Sequence, residues 1–203
     1  MKKNKIAFAI VICMSLCLLA GAAWAHDLWL VCPKAGAGQK VAIEIGYGHK
    51  FPKDEQADIK LLSEIYVTDA KGKIKTAPGA DKIFRTDKPL AAGSYVVIGG
   101  TKAKFWTKSP SGYVHKTKDQ VPEAIKCTRS IKYAKAIVNL GGKAGDVSKP
   151  MGQDLELVPL ANPAGLKTGD ELPVKVLLSG KPLAKEAVYA TFAGFSKGRA
   201  MAF

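Results

Sequence analysis

The mature part of this sequence has very little of what most catalytic chemistry requires. It contains no Gly-x-Ser-x-Gly elbow, no His-Glu-x-x-His pair and no phosphate-cradling glycine loop, so the common hydrolase, zinc-protease and nucleotide-binding signatures are missing. Histidine is scarce, with three in the 203 residues, and aromatic residues make up 8%. No window of 12 residues carries an apolar stripe at helical spacing, which argues against a helical fold. The longest apolar run, residues 6–20, is broken only by Ser15 and falls short of the roughly 20 residues that a membrane-spanning helix needs.

That run has a different use. Lys2, Lys3 and Lys5 precede it, and Ala23-Trp24-Ala25 follows with the small-x-small pattern of a signal-peptide cleavage site. Residues 1–25 read as a cleavable export signal, and the protein is expected in the periplasm. Cys17 follows Leu16 rather than a small residue, which argues against lipoprotein processing. Cleavage after Ala25 makes His26 the first residue, so one residue offers both a free α-amine and an imidazole to a metal ion.

Removing residues 1–25 takes three of the 31 basic residues, leaving 28 against 17 acidic ones, about +11. This excess is compatible with contact with an anionic membrane surface or cell-wall polymer, or with a simple solvated lysine-rich surface. No compact basic motif interleaved with aromatics suggests nucleic acid. Two cysteines survive processing, Cys32 and Cys127. In an oxidising compartment an isolated pair is expected to form one disulfide, worth roughly 4–5 kcal/mol for so long a loop in the chain-entropy picture. Two free thiols, or a thiolate ligand at Cys32, are the alternatives.

Short β-rich runs between Gly, Pro, Asp and Lys turns predict an all-β protein, with strands near 28–32, 40–46, 65–69, 83–86, 93–99, 104–107, 130–139, 155–159, 171–178 and 187–193. Hairpin turns are expected at 69–73 and 179–182, and one short helix over 54–63. The glycine-rich, charged stretch at 141–150 reads as a linker. It separates an immunoglobulin-like β-sandwich, 26–140, from a partial second β domain, 151–203, with too few strands for a core of its own.

Two segments could carry chemistry. His26-Asp27-Leu28-Trp29-Leu30 places the terminal chelate on a strand, with Asp27 able to orient the imidazole or accept a metal bond. Gly46-Tyr47-Gly48-His49-Lys50-Phe51-Pro52 presents His49 from a strand end. His115 is the weaker candidate, since Lys116 and Lys118 would repel a cation. Imidazole and amine nitrogens suit nickel, cobalt, copper and zinc alike.

These segments, together with Phe105-Trp106-Thr107-Lys108, Lys132-Tyr133-Ala134-Lys135-Ala136 and Leu155-Glu156-Leu157-Val158-Pro159-Leu160-Ala161-Asn162-Pro163, resemble the DUF4198 family over nearly the whole mature chain. The resemblance implies a periplasmic component of nickel and cobalt uptake, a metal-binding protein rather than an enzyme, serving a membrane metal-transport system. His26 and His49 match the family's two histidine positions. Relatives continue through further strands of a second immunoglobulin-like domain, so a truncated form of a longer protein is expected here. Two other classes are compatible with the residues: a metal-free adhesion or assembly module, and a copper oxidase of the polysaccharide-cleaving type, which also uses an N-terminal histidine chelate.

Overall fold

The computed structural model describes residues 26–142, 144–193 and 201–202. The export signal expected at 1–25 lies outside them. The fold is all-β and antiparallel throughout. In chain order the strands of its main sheet are β1 (Asp27–Val31), β2 (Ala42–Gly48), β3 (Glu55–Gln56), β4 (Tyr66–Asp69), β5 (Gly72–Pro78), β6 (Phe84–Thr86), β7 (Ser94–Gly100) and β11 (Tyr133–Asn139). They run in the order β1-β2-β6-β5-β4-β7-β11, with β3 added beside β2. The expected two layers are therefore parts of one hydrogen-bonded path, which curls until its ends, β1 and β11, lie side by side.

Alternation explains the inward face. In β2, Ile43 and Ile45 are buried while Glu44 between them is exposed, the period-2 pattern of a strand with one wet face. These side chains pack with Leu30, Val41, Val67, Phe84, Tyr95, Val97 and Val138. β7 differs, because Val96 and Ile98 on its outer face are also buried, covered by Val147 and Met151. Among the described residues, the segment expected as a linker, 141–150, contains no strand, yet its Val147 packs against the sheet.

Two smaller sheets complete the described residues. β8 (Lys104–Ser109), β9 (Gly112–Val114) and β10 (Lys126–Ser130) form one, and β12 (Leu155–Pro159), β13 (Val174–Leu178) and β14 (Lys181–Pro182) the other. A last two-residue pair joins β15 (Tyr189–Ala190) to β16 (Met201–Ala202). The single strand expected over 130–139 is split, since β10 pairs β8 while β11 pairs β7. The helix expected over 54–63 is also corrected: Glu55 and Gln56 pair with Tyr47 and Gly46, and only Ile59–Leu61 make one 3-10 turn.

The cysteine pairing needs the same treatment. Cys32 and Cys127 are free thiols. Cys32 follows β1 and packs against the main core, whereas Cys127 sits in β10 opposite Thr107, in a different sheet. Sheet membership, which parity of cysteines cannot reveal, keeps them apart.

Candidate metal site at the open end of the main sheet

The β1–β2 register aligns Asp27 with Gly48 and Leu28 with Tyr47. Side chains two apart on a strand share a face, so His26 and Leu28 share one with Tyr47 and His49 across the ladder. β3 then sets Glu55 opposite Tyr47 on the other side of β2. Three strand ends therefore converge four polar or aromatic side chains, His26, Tyr47, His49 and Glu55.

The distances bear this out. The His26 ring stacks on His49 with centroids 4.6 Å apart and planes at 26°, and on Tyr47 at 4.9 Å and 13°. Its Nε2 lies 3.7 Å from Glu55 Oε1. The His26 side chain is 39% exposed, leaving it open to solvent and able to turn.

The loop that aims His49 is built by Asp54. Its Oδ2 accepts hydrogen bonds from the amides of His49 at 2.8 Å and Lys50 at 3.1 Å. The His49 amide first, and that of Lys50 with it, hold the Asp54 carboxyl below the usual carboxylate range, despite the opposing cost of desolvation. Gly48 has φ 138°, a backbone shape that side chains rarely adopt, and a methyl there would run into the Asp54 carboxylate. Trp29 closes the loop from beneath. Its indole N–H donates to Pro52 O at 2.9 Å, its ring meets Phe51 edge-on, and it occupies the space above Gly46, where a methyl would collide with it.

Of the residues singled out from sequence, His26 and His49 come together. Asp27 alternates onto the other face, where it lines a cleft of about 660 Å³ toward β11 and β12. His115 is exposed just beyond β9, with its ring edge-on to Trp106 at 3.9 Å, in the sheet that excludes His26 and His49. Glu55 and Tyr47 were not assigned to the site from sequence. Tyr47 is two residues from His49 and could have been found by strand alternation alone.

Parallel stacking aims the two imidazole lone-pair sets alongside each other rather than at one point. Among the described residues no three His, Cys, Asp or Glu side chains form a ready-made metal-binding group. The donors nonetheless fit a nitrogen-preferring ion: two imidazoles in contact on rigid strand ends, with a carboxylate beside one of them. The 4.6 Å between ring centroids compares with the roughly 4 Å that two bonds of about 2 Å to one ion span between donor nitrogens.

Comparison with known proteins gives the lineage. No solved structure matches the chain. A protein of Haemophilus influenzae described as "Uncharacterized protein" is 29% identical over 185 residues, covering 90% of this chain and 73% of that protein. Residues 23–202 match the family described as "Domain of unknown function (DUF4198)", a span that takes in the His26–His49 corner and all four sheets of the described residues. The chain belongs to the DUF4198 family.

Proposed function

We propose that this is a periplasmic binding protein for a divalent transition metal, nickel or cobalt before copper or zinc, which hands the ion as cargo to a membrane transport system. The observation that carries the reading is the contact between His26 and His49. Two of the three histidines in the sequence are stacked at 4.6 Å, where the paired strands β1 and β2 end side by side. Export with cleavage after Ala25 would add the α-amine of His26 to the donor set. An ion held by this amine, the same residue's imidazole and His49 would have open positions left for exchange with a partner, as suits cargo rather than a closed structural site.

Nickel titration tests the reading with four proteins: the chain beginning at His26, the same chain extended by one residue, and His49→Ala and His115→Ala. The extension turns the amine into an amide while keeping the imidazole. Affinity should fall on the order of a hundredfold, because the second donor is no longer tethered to the first. His49→Ala should also weaken binding, and His115→Ala should bind like the parent. Equal affinity in the extended and processed chains would remove the chelate and with it the mechanism.

A further inference from the structure

Resting on the metal-binding reading, we propose that Glu55 is the positioning residue of the terminal chelate: it accepts the Nε2–H of His26 and leaves Nδ1 unprotonated toward the ion. The argument begins with ring size. A metal bound to the α-amine of His26 closes a six-membered ring through Cα, Cβ and Cγ only if Nδ1 is the second donor. Nε2 sits on the far side of the imidazole and cannot reach the same ion. In a chelating His26, Nε2 must carry the proton, and that N–H needs an acceptor.

The structure supplies one. Nε2 faces Glu55 Oε1 at 3.7 Å, and among the described residues His26 is the only ion-pair partner of Glu55. A charge-assisted N–H···O⁻ bond is roughly 2.7–2.9 Å long, so about 1 Å of closure is needed. Glu55, with its side chain 66% exposed, is free to make it. The nearby carboxylate of Asp54 is already engaged by the amides of His49 and Lys50, so it does not compete for the role. Backbone pairing of Glu55 with Tyr47, and the stacking of Tyr47 on His26, hold carboxylate and imidazole on one face of the sheet. A carboxylate accepting the distal N–H fixes the tautomer and raises the electron density at the ligating nitrogen.

This role differs from direct ligation by Glu55, and from general attraction of a cation by its charge. Three substitutions separate them in the processed chain. Glu55→Leu removes the acceptor and should weaken nickel binding about tenfold, the lower end of what such outer partners contribute. Glu55→Gln keeps a neutral carbonyl acceptor and should stay within about threefold of the parent. Glu55→Asp should fall between. Nitrogen-15 NMR of the metal-free chain should show the Nε2–H form of His26 in the parent and in Glu55→Gln, and a mixture of tautomers in Glu55→Leu. If Glu55→Gln binds as weakly as Glu55→Leu, charge or direct ligation is at work and the positioning role is overturned. If all variants bind and titrate alike, the role is overturned while the metal site stands. If the parent takes up no nickel, the metal-binding reading itself fails and this inference falls with it.

Discussion

Cys32 shows how burial decides the chemistry of a single residue. Desolvation against the main core pushes its thiol up to about 12, so the thiolate that would attack an electrophile is disfavoured at neutral pH. Cys127 is half-buried on a three-stranded sheet and has no such core around it. Alkylation of the native protein without reductant should therefore add two labels in total, with Cys127 modified first and Cys32 only slowly until the chain is unfolded. Intact mass after timed quenching reads both steps. Faster labelling of Cys32, or no labelling of either, would contradict the free and unequal thiols of this fold.

At the scale of elements, the site depends on a loop whose order comes from one carboxylate. Replacing Asp54 by alanine leaves the amides of His49 and Lys50 without their acceptor, next to Gly48 with its φ of 138°. Nickel affinity should fall by about tenfold while the thermal midpoint changes little, since Asp54 is exposed and acts by aiming a ligand. Calorimetric titration beside a melting curve distinguishes this from general unfolding. The loop also shows what was legible in the residues. Alternation in 42–48 and the glycines around His49 marked a strand end presenting a histidine, and the pairing of that end with residue 26 followed once two strands were adjacent. Glu55 was hidden because it fell inside the short helix expected over 54–63, which begins at Asp54. The Asp54 carboxylate instead binds amides that precede it in the chain, and the next two residues join β2. β5 escaped notice for a related reason. Lysine alternates with little that is apolar, and Ile74 is its one buried residue. The break at Ile131 and Lys132 carries no glycine or proline, so nothing local announced that β10 and β11 belong to different sheets.

For the whole molecule, the question is what holds the C-terminal sheet to the main one. Glu156 on β12 is almost fully buried and pairs with Lys135 of β11 at 2.5 Å, while its two oxygens also accept the amides of Met151 at 2.6 Å and Gly152 at 3.0 Å. Gln153 donates to the carbonyls of Gly99 and Ala134, and Asn162 to Ser94 Oγ and Gly145 O, which extends the polar seam along β7 and β11. Desolvation alone would raise the Glu156 pKa, but Lys135 and the two amides win and hold it below the ordinary carboxylate value. A depressed carboxylate stabilises the folded state above the unfolded pKa, and that contribution is lost as pH falls through the folded value. Glu156→Gln should cost about 3 kcal/mol at neutral pH, because it leaves the partly buried Lys135 ammonium without its counter-ion, with the Leu157 carbonyl as its remaining acceptor. It should also flatten the acid limb of the stability curve. Urea unfolding at several pH values checks both, and an equally stable variant at neutral pH would mean the seam is held by something else.

The seat of Trp29 has a consequence of an optical kind. Once residues 1–25 are removed, Trp29 and Trp106 are the two tryptophans left, and their surroundings are unlike. Trp106 lies against His115 in a separate sheet, whereas Trp29 is bonded to Pro52, rests over Gly46 and touches Phe51, so its indole is built into the loop that carries His49. Light absorbed there is emitted from the wall of the histidine corner. The protein's own fluorescence is thereby placed to register a rearrangement of that loop without any attached dye.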